Sequence, residues 1–118
     1  MRAFRIPLLA ASCGLAVLYF GIGLQASNPR LIRDWPDLLR HGGPYLFLAV
    51  SFALTLQAWG VRRWLWAGFF AALAHGLLLE IAQSWTSTRK ADPVDFLGDL
   101  IGAGIGCLLL SLLYFGDR

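Results

Sequence analysis

Trp64-Leu-Trp-Ala-Gly-Phe-Phe-Ala-Ala-Leu-Ala-His-Gly-Leu-Leu-Leu-Glu80-Ile-Ala-Gln83 decides the fold of this chain. From Trp64 to Leu79 it holds no charge, and it ends on a carboxylate. An ionised acid at bilayer depth costs a few kcal/mol or more. Glu80 must therefore meet a partner, water or a proton. The candidate partners follow at once: Arg89 and Lys90, then Asp92, Asp95 and Asp99.

On either side, the charge gaps define three more apolar runs. The four expected spans are 6–25, 42–61, 64–84 and 94–116. Each approaches the roughly 20 residues that a bilayer requires. In lipid every backbone polar group must be satisfied internally, so the spans are expected to be helices. The connections are short, so consecutive helices should run antiparallel. The expected fold is all-α: an integral membrane four-helix bundle, a single domain over residues 1–118.

Composition agrees. The 118 residues are 58% hydrophobic and 14% charged, with mean hydropathy +0.62. Soluble domains carry roughly 25% charged residues. The net charge of +3 does not point to nucleic acid, because basic residues flanking apolar runs serve more simply as membrane anchors. Trp35, Trp59, Trp64, Trp66 and Trp85 flank the runs, as interfacial aromatics do. The lipid bilayer is the expected partner. Cys13 and Cys107 read as small packing residues, and neither a metal site nor a cofactor site is expected. The first run exceeds a signal-peptide core and lacks a good cleavage site, so it reads as an uncleaved span.

Orientation rests on the basic residues. Arg2, Arg5, Arg62, Arg63 and Arg118 fall on one side, and Arg30, Arg33, Arg40, Arg89 and Lys90 on the other. The count is balanced. The first group lies close to span ends without acidic neighbours, which favours both termini inside.

A helix turns about 100° per residue. Gly68, Ala72 and Gly76 therefore form one stripe with Glu80, and Gly98, Gly102 and Gly106 form another. Small residues at this spacing let helix backbones approach closely. The two stripes are expected to face each other, within one chain or between copies in a homo-oligomer. Asp95 and Asp99 lie on the side of the second stripe, and Gln83 lies near Glu80. The expectation is a polar cluster of Glu80, Gln83, Asp95 and Asp99, with Arg89 as its cation. Asp92 before Pro93 reads as a helix cap. Asp37 and His41, further expected members of the cluster, are four apart and would share a helix face, although Gly42, Gly43 and Pro44 weaken a helix there. His75 reads as a packed, hydrogen-bonded histidine and not as a catalytic partner of Glu80. No phosphate-binding glycine loop, paired metal-ligand motif or nucleophile elbow occurs.

Glu80-x-x-Gln83, Arg89, Asp92-x-x-Asp95 and Asp99-x-x-Gly102-x-x-x-Gly106 resemble, in order, the signature of the VanZ-like family. Asp37 and His41 resemble that family's Asp-Lys-x-x-His entry to an earlier span. The resemblance covers about residues 37–106. Two positions depart from the pattern: Leu38 stands where lysine is usual, and Asp99 where asparagine is usual. Both changes make the site less cationic. The resemblance implies a small multi-pass protein of the bacterial inner membrane and cell envelope. It also implies a link to antibiotic resistance, specifically to the glycopeptide teicoplanin. The leading expectation is a role that is non-enzymatic or not demonstrably enzymatic, in which the cluster engages a lipid headgroup or envelope ligand. The alternatives are a small proton-coupled membrane transporter and, last, an intramembrane hydrolase using Glu80, Asp95 and His41.

Overall fold

A computed structural model describes the backbone of residues 2–23, 37–85 and 93–115, and the side chains of 3–22, 42–85 and 96–115. The described residues are helical, with no strand. A short 3-10 turn, Arg2–Phe4, leads into α1 (Arg5–Gly23), followed by α2 (Asp37–Ala58), α3 (Trp64–Ser84) and α4 (Pro93–Phe115).

α1, α3 and α4 are long and apolar enough to cross a membrane. The fourth expected span differs. Its helix, α2, is 22 residues long, and the apolar part among the described residues is Gly42–Ala58, roughly 25 Å at a rise of about 1.5 Å per residue. Its first turn carries Asp37, Arg40 and His41, and its end is fixed by a tight cap. Gly60 takes φ +83°, a left-handed backbone that glycine adopts without steric cost. Gly60 N–H donates to Gln57 O (3.1 Å) and Val61 N–H to Leu56 O (3.0 Å), the paired bonds of a Schellman cap. Arg5 adds to it from α1. Its Nε–H donates to Ala58 O at 2.8 Å, and its guanidinium lies 5.2 Å from the Trp59 ring centroid. A cation at a helix C-terminus is favourable there.

α2 also begins earlier than expected, at Asp37, and runs through Gly42, Gly43 and Pro44. Proline costs a helix one hydrogen bond. Packing outweighs that local penalty, because Gly42 is pressed against α4. An ideal Cβ on Gly42 would stand 3.3 Å from Gly98 O, and one on Gly102 would strike the Gly42 carbonyl.

Consecutive helices are antiparallel. Arg5 and Leu8 of α1 meet Ala58 and Thr55 of α2. Ala53 of α2 meets Gly68 of α3, and Gly76 of α3 meets Asp99 of α4. The ends of α1 and α3 and the starts of α2 and α4 therefore share one end of the bundle.

The expected pairing of the glycine stripes is corrected. They do not face each other along their length; both grip α2. A Cβ on Gly68 would fall 2.6 Å from Ala53 Cα, and one on Gly106 would fall 2.7 Å from Leu46 O. Small residues on α2 are the cause: Gly42, Ala49 and Ala53 are buried and offer backbone to both neighbours. At Gly76 the α3 stripe reaches α4.

The core holds Tyr45, Leu48, Ala49, Ala72 and Ala103. Leu48 is the largest fully buried side chain. Phe47, Phe70, Leu78, Leu108 and Leu113 are exposed. Large apolar side chains outside and small ones at the contacts suit helices surrounded by lipid, where close packing and not apolar burial holds them together.

A second seam joins α1 to α2. Ser12 Oγ lies 2.6 Å from Ser51 Oγ and 2.7 Å from Thr55 Oγ1. The Thr55 hydroxyl also reaches Leu8 O (3.1 Å) and Ser51 O (2.8 Å). Ser12 and Thr55 are buried, and interhelical hydroxyl bonds of this kind contribute about 0.6 kcal/mol each within a membrane. The cysteines divide. Cys107 is half-buried with its thiol 3.8 Å from Leu65 O, whereas Cys13 is exposed on α1 and packs against no core; both are free.

Candidate functional site: a polar layer at one end of the bundle

The absence of a side chain at Gly76 makes room for a carboxylate. Asp99 Oδ2 lies 2.9 Å from where a Gly76 Cβ would be, and Tyr45 Cε1 lies 3.4 Å from the same point. Helices α2, α3 and α4 thus converge on Gly76. Asp99 is only 3% exposed there. It is the most deeply buried described acid, where the sequence pointed first to Glu80. A buried carboxylate needs partners, and Asp99 has interactions of its own.

Glu80 follows Gly76 by one helical turn and is half-buried. Gln83 follows by two turns and is 5% exposed. Both acids act electrostatically on the Tyr45 hydroxyl. The structure therefore brings Glu80, Gln83 and Asp99 to the same end of the bundle, with Tyr45 added. In the antiparallel register of α3 and α4, the backbone of Asp95, one turn before Asp99, lies level with that of Glu80.

The remaining expected members are placed in part. Asp37 and His41 sit one turn apart at the start of α2, at this same end, and Asp95 is in the first turn of α4. The side chains of these three lie outside the described residues, as do Arg89 and Asp92 altogether.

His75 extends the layer to α1. Its Nε2 lies 2.8 Å from Ala16 O, and its Nδ1 lies 2.7 Å from Tyr45 Oη. A carbonyl can only accept, so Nε2 carries a hydrogen and donates to Ala16. In the neutral ring Nδ1 is then the acceptor, and the Tyr45 hydroxyl donates to it. His75 is thus the packed, hydrogen-bonded histidine that its sequence position suggested. Aromatic neighbours hold the pair: the Tyr19 ring lies 6.5 Å from that of Tyr45, and the Phe20 ring meets His75 edge-on at 5.8 Å.

Sequence reasoning missed Tyr45. It sits in a charge-free run, where a tyrosine reads as an interfacial aromatic. The only signal is its place one turn after His41. The Ser12 seam was missed too, although Ser51 and Thr55 stand four apart on one face of α2. Among the described residues, no group of three His, Cys, Asp or Glu side chains is arranged to hold a metal ion.

Compared with known proteins, the chain matches no family model, no curated protein and no solved structure.

Proposed function

We propose that the chain is a VanZ-like multi-pass protein of the bacterial inner membrane, with both termini inside. Its polar end layer engages a lipid headgroup or another envelope ligand and so influences glycopeptide susceptibility. The observation that supports this reading is the gathering of Glu80, Gln83 and Asp99 at one end of an otherwise apolar bundle. The same residues carry the ordered sequence resemblance. Groups that are costly at membrane depth are kept for a purpose. Helix packing here is already provided by glycine contacts and the Ser12 seam, so holding the helices together does not require three such side chains. The role is one of binding, without a bond-breaking step.

The test is teicoplanin susceptibility of a bacterial host with and without the expressed chain. The reading expects a reproducible change in the inhibitory concentration. Identical values at verified membrane expression would refute it.

A further inference from the structure

The end of the bundle opposite the polar layer carries only positive charge among the described side chains. Arg62 and Arg63 follow the Gly60 cap and are exposed, and Arg5 lies at the same end against Ala58 and Trp59. The described acids, Glu80 and Asp99, both sit at the other end. The side chain of Arg2, and Asp117 and Arg118 altogether, lie outside the described residues. Aromatic side chains mark the depth. Trp64 meets Tyr114 edge-on at 5.1 Å and stacks with Phe115 at 6.3 Å, and Trp66 stacks with Phe70 at 6.1 Å. Tryptophan and tyrosine collect at headgroup level. Arg62 and Arg63, which precede Trp64, therefore fall at the height of lipid phosphates.

A groove begins within one turn of Arg63. It encloses about 370 Å³ between α3 and α4, lined by Leu65, Trp66 and Phe69 on one side and Gly104, Leu108 and Ser111 on the other. Gly104 to Ser111 cover about 10 Å of helix, so the groove leads from the charged end into the apolar part of the bundle. Its depth comes from Gly104, where an ideal Cβ would meet only Phe69 Cε2, at 3.8 Å. The Cys107 thiol donates to Leu65 O at 3.8 Å and joins the two walls.

From this geometry we propose that the α3–α4 groove and the Arg62–Arg63 pair bind one anionic phospholipid, with an acyl chain in the groove and the phosphate on the guanidinium groups. The inference does not depend on the envelope reading, whose residues occupy the opposite end. Charge complementarity selects the occupant. Guanidinium groups stay charged and grip phosphate oxygens in pairs, and basic residues at the membrane surface attract anionic headgroups. A zwitterionic lipid would bring an ammonium group to the same place. The first turn of α3 holds no acidic residue and its N-cap makes no side-chain bond, so its positive end adds to the attraction.

Native mass spectrometry of the detergent-purified chain, titrated with phosphatidylglycerol or with phosphatidylcholine of identical acyl chains, tests the site. Wild type is expected to hold one phosphatidylglycerol about ten-fold more tightly than phosphatidylcholine. Excess inorganic phosphate is expected not to displace it, because phosphate alone cannot fill the groove. The double variant Arg62→Gln, Arg63→Gln is expected to bind the two lipids equally. Gly104→Leu, which fills the groove, is expected to weaken phosphatidylglycerol several-fold. Equal affinities in wild type, displacement by phosphate, or either variant binding like wild type would overturn the proposal. Should Gly104→Leu fail to fold, phosphatidylglycerol with a photoreactive acyl chain decides on the wild type. Cross-links are expected within residues 65–69 and 104–111, and cross-links spread evenly over the apolar surface would overturn it.

Discussion

Asp99 occupies the space that a side chain at Gly76 would fill: its Oδ2 lies 2.9 Å from the ideal Cβ position. A carboxylate on one helix and the missing Cβ on another are thus a matched pair. Gly76→Ala should push the carboxylate away and cost about 1–3 kcal/mol, as overpacking does. Asp99→Ala alone leaves a gap. The double substitution should recover part of the loss, a coupling of about 0.5 kcal/mol or more. Thermal midpoints of the four proteins in one detergent measure it, and strictly additive losses would show that the two residues do not share the space.

Glycines in the four helices separate into gripping and uncovered positions. A Cβ at Gly102 would strike the Gly42 carbonyl, while at Gly14 nothing lies within 4 Å. Gly102→Ala should force α2 and α4 apart and lower stability by about 1–3 kcal/mol. Gly14→Ala should be neutral or stabilising by up to about 1 kcal/mol, because alanine is the better helix former. Equal effects in a parallel denaturation series would contradict this division.

The Ser12, Ser51 and Thr55 hydroxyls bond one another between α1 and α2. Ser12→Ala and Thr55→Val should each destabilise by about 0.6–1.7 kcal/mol. Their effects should be less than additive, since each removes the same bond. Fully additive losses in a double-mutant cycle would mean that the seam does not act as a unit.

Much of the fold could be read from charge gaps. Uncharged runs bounded by charged residues located α1, α3 and α4 within a few residues, because lipid excludes charge from a helix interior. The start of α2 was hidden. Gly42, Gly43 and Pro44 disfavour a helix locally, and only the contact of Gly42 with Gly98 and Gly102 on α4 explains why it persists. The glycine stripes were legible as packing faces, but spacing along one helix does not name the neighbour. Small residues on α2, Gly42, Ala49 and Ala53, share one helix face, but the large Tyr45 and Leu46 between the first two interrupt a four-residue repeat. Within the site, Glu80, Gln83 and Asp99 stood out as polar groups in apolar runs. Tyr45 and His75 did not, because their partnership joins residues 30 apart in sequence on different helices.

On the proposed reading, the polar end layer serves the envelope and not merely the bundle. Glu80→Gln tests it most directly, since it keeps the shape and hydrogen-bonding capacity of the half-buried Glu80 while removing its charge. Teicoplanin susceptibility of cells expressing wild type or Glu80→Gln, at matched membrane level and thermal midpoint, is the measurement. The variant is expected to lose the wild-type effect and return the host to vector-only susceptibility. A variant that retains the full effect would contradict it.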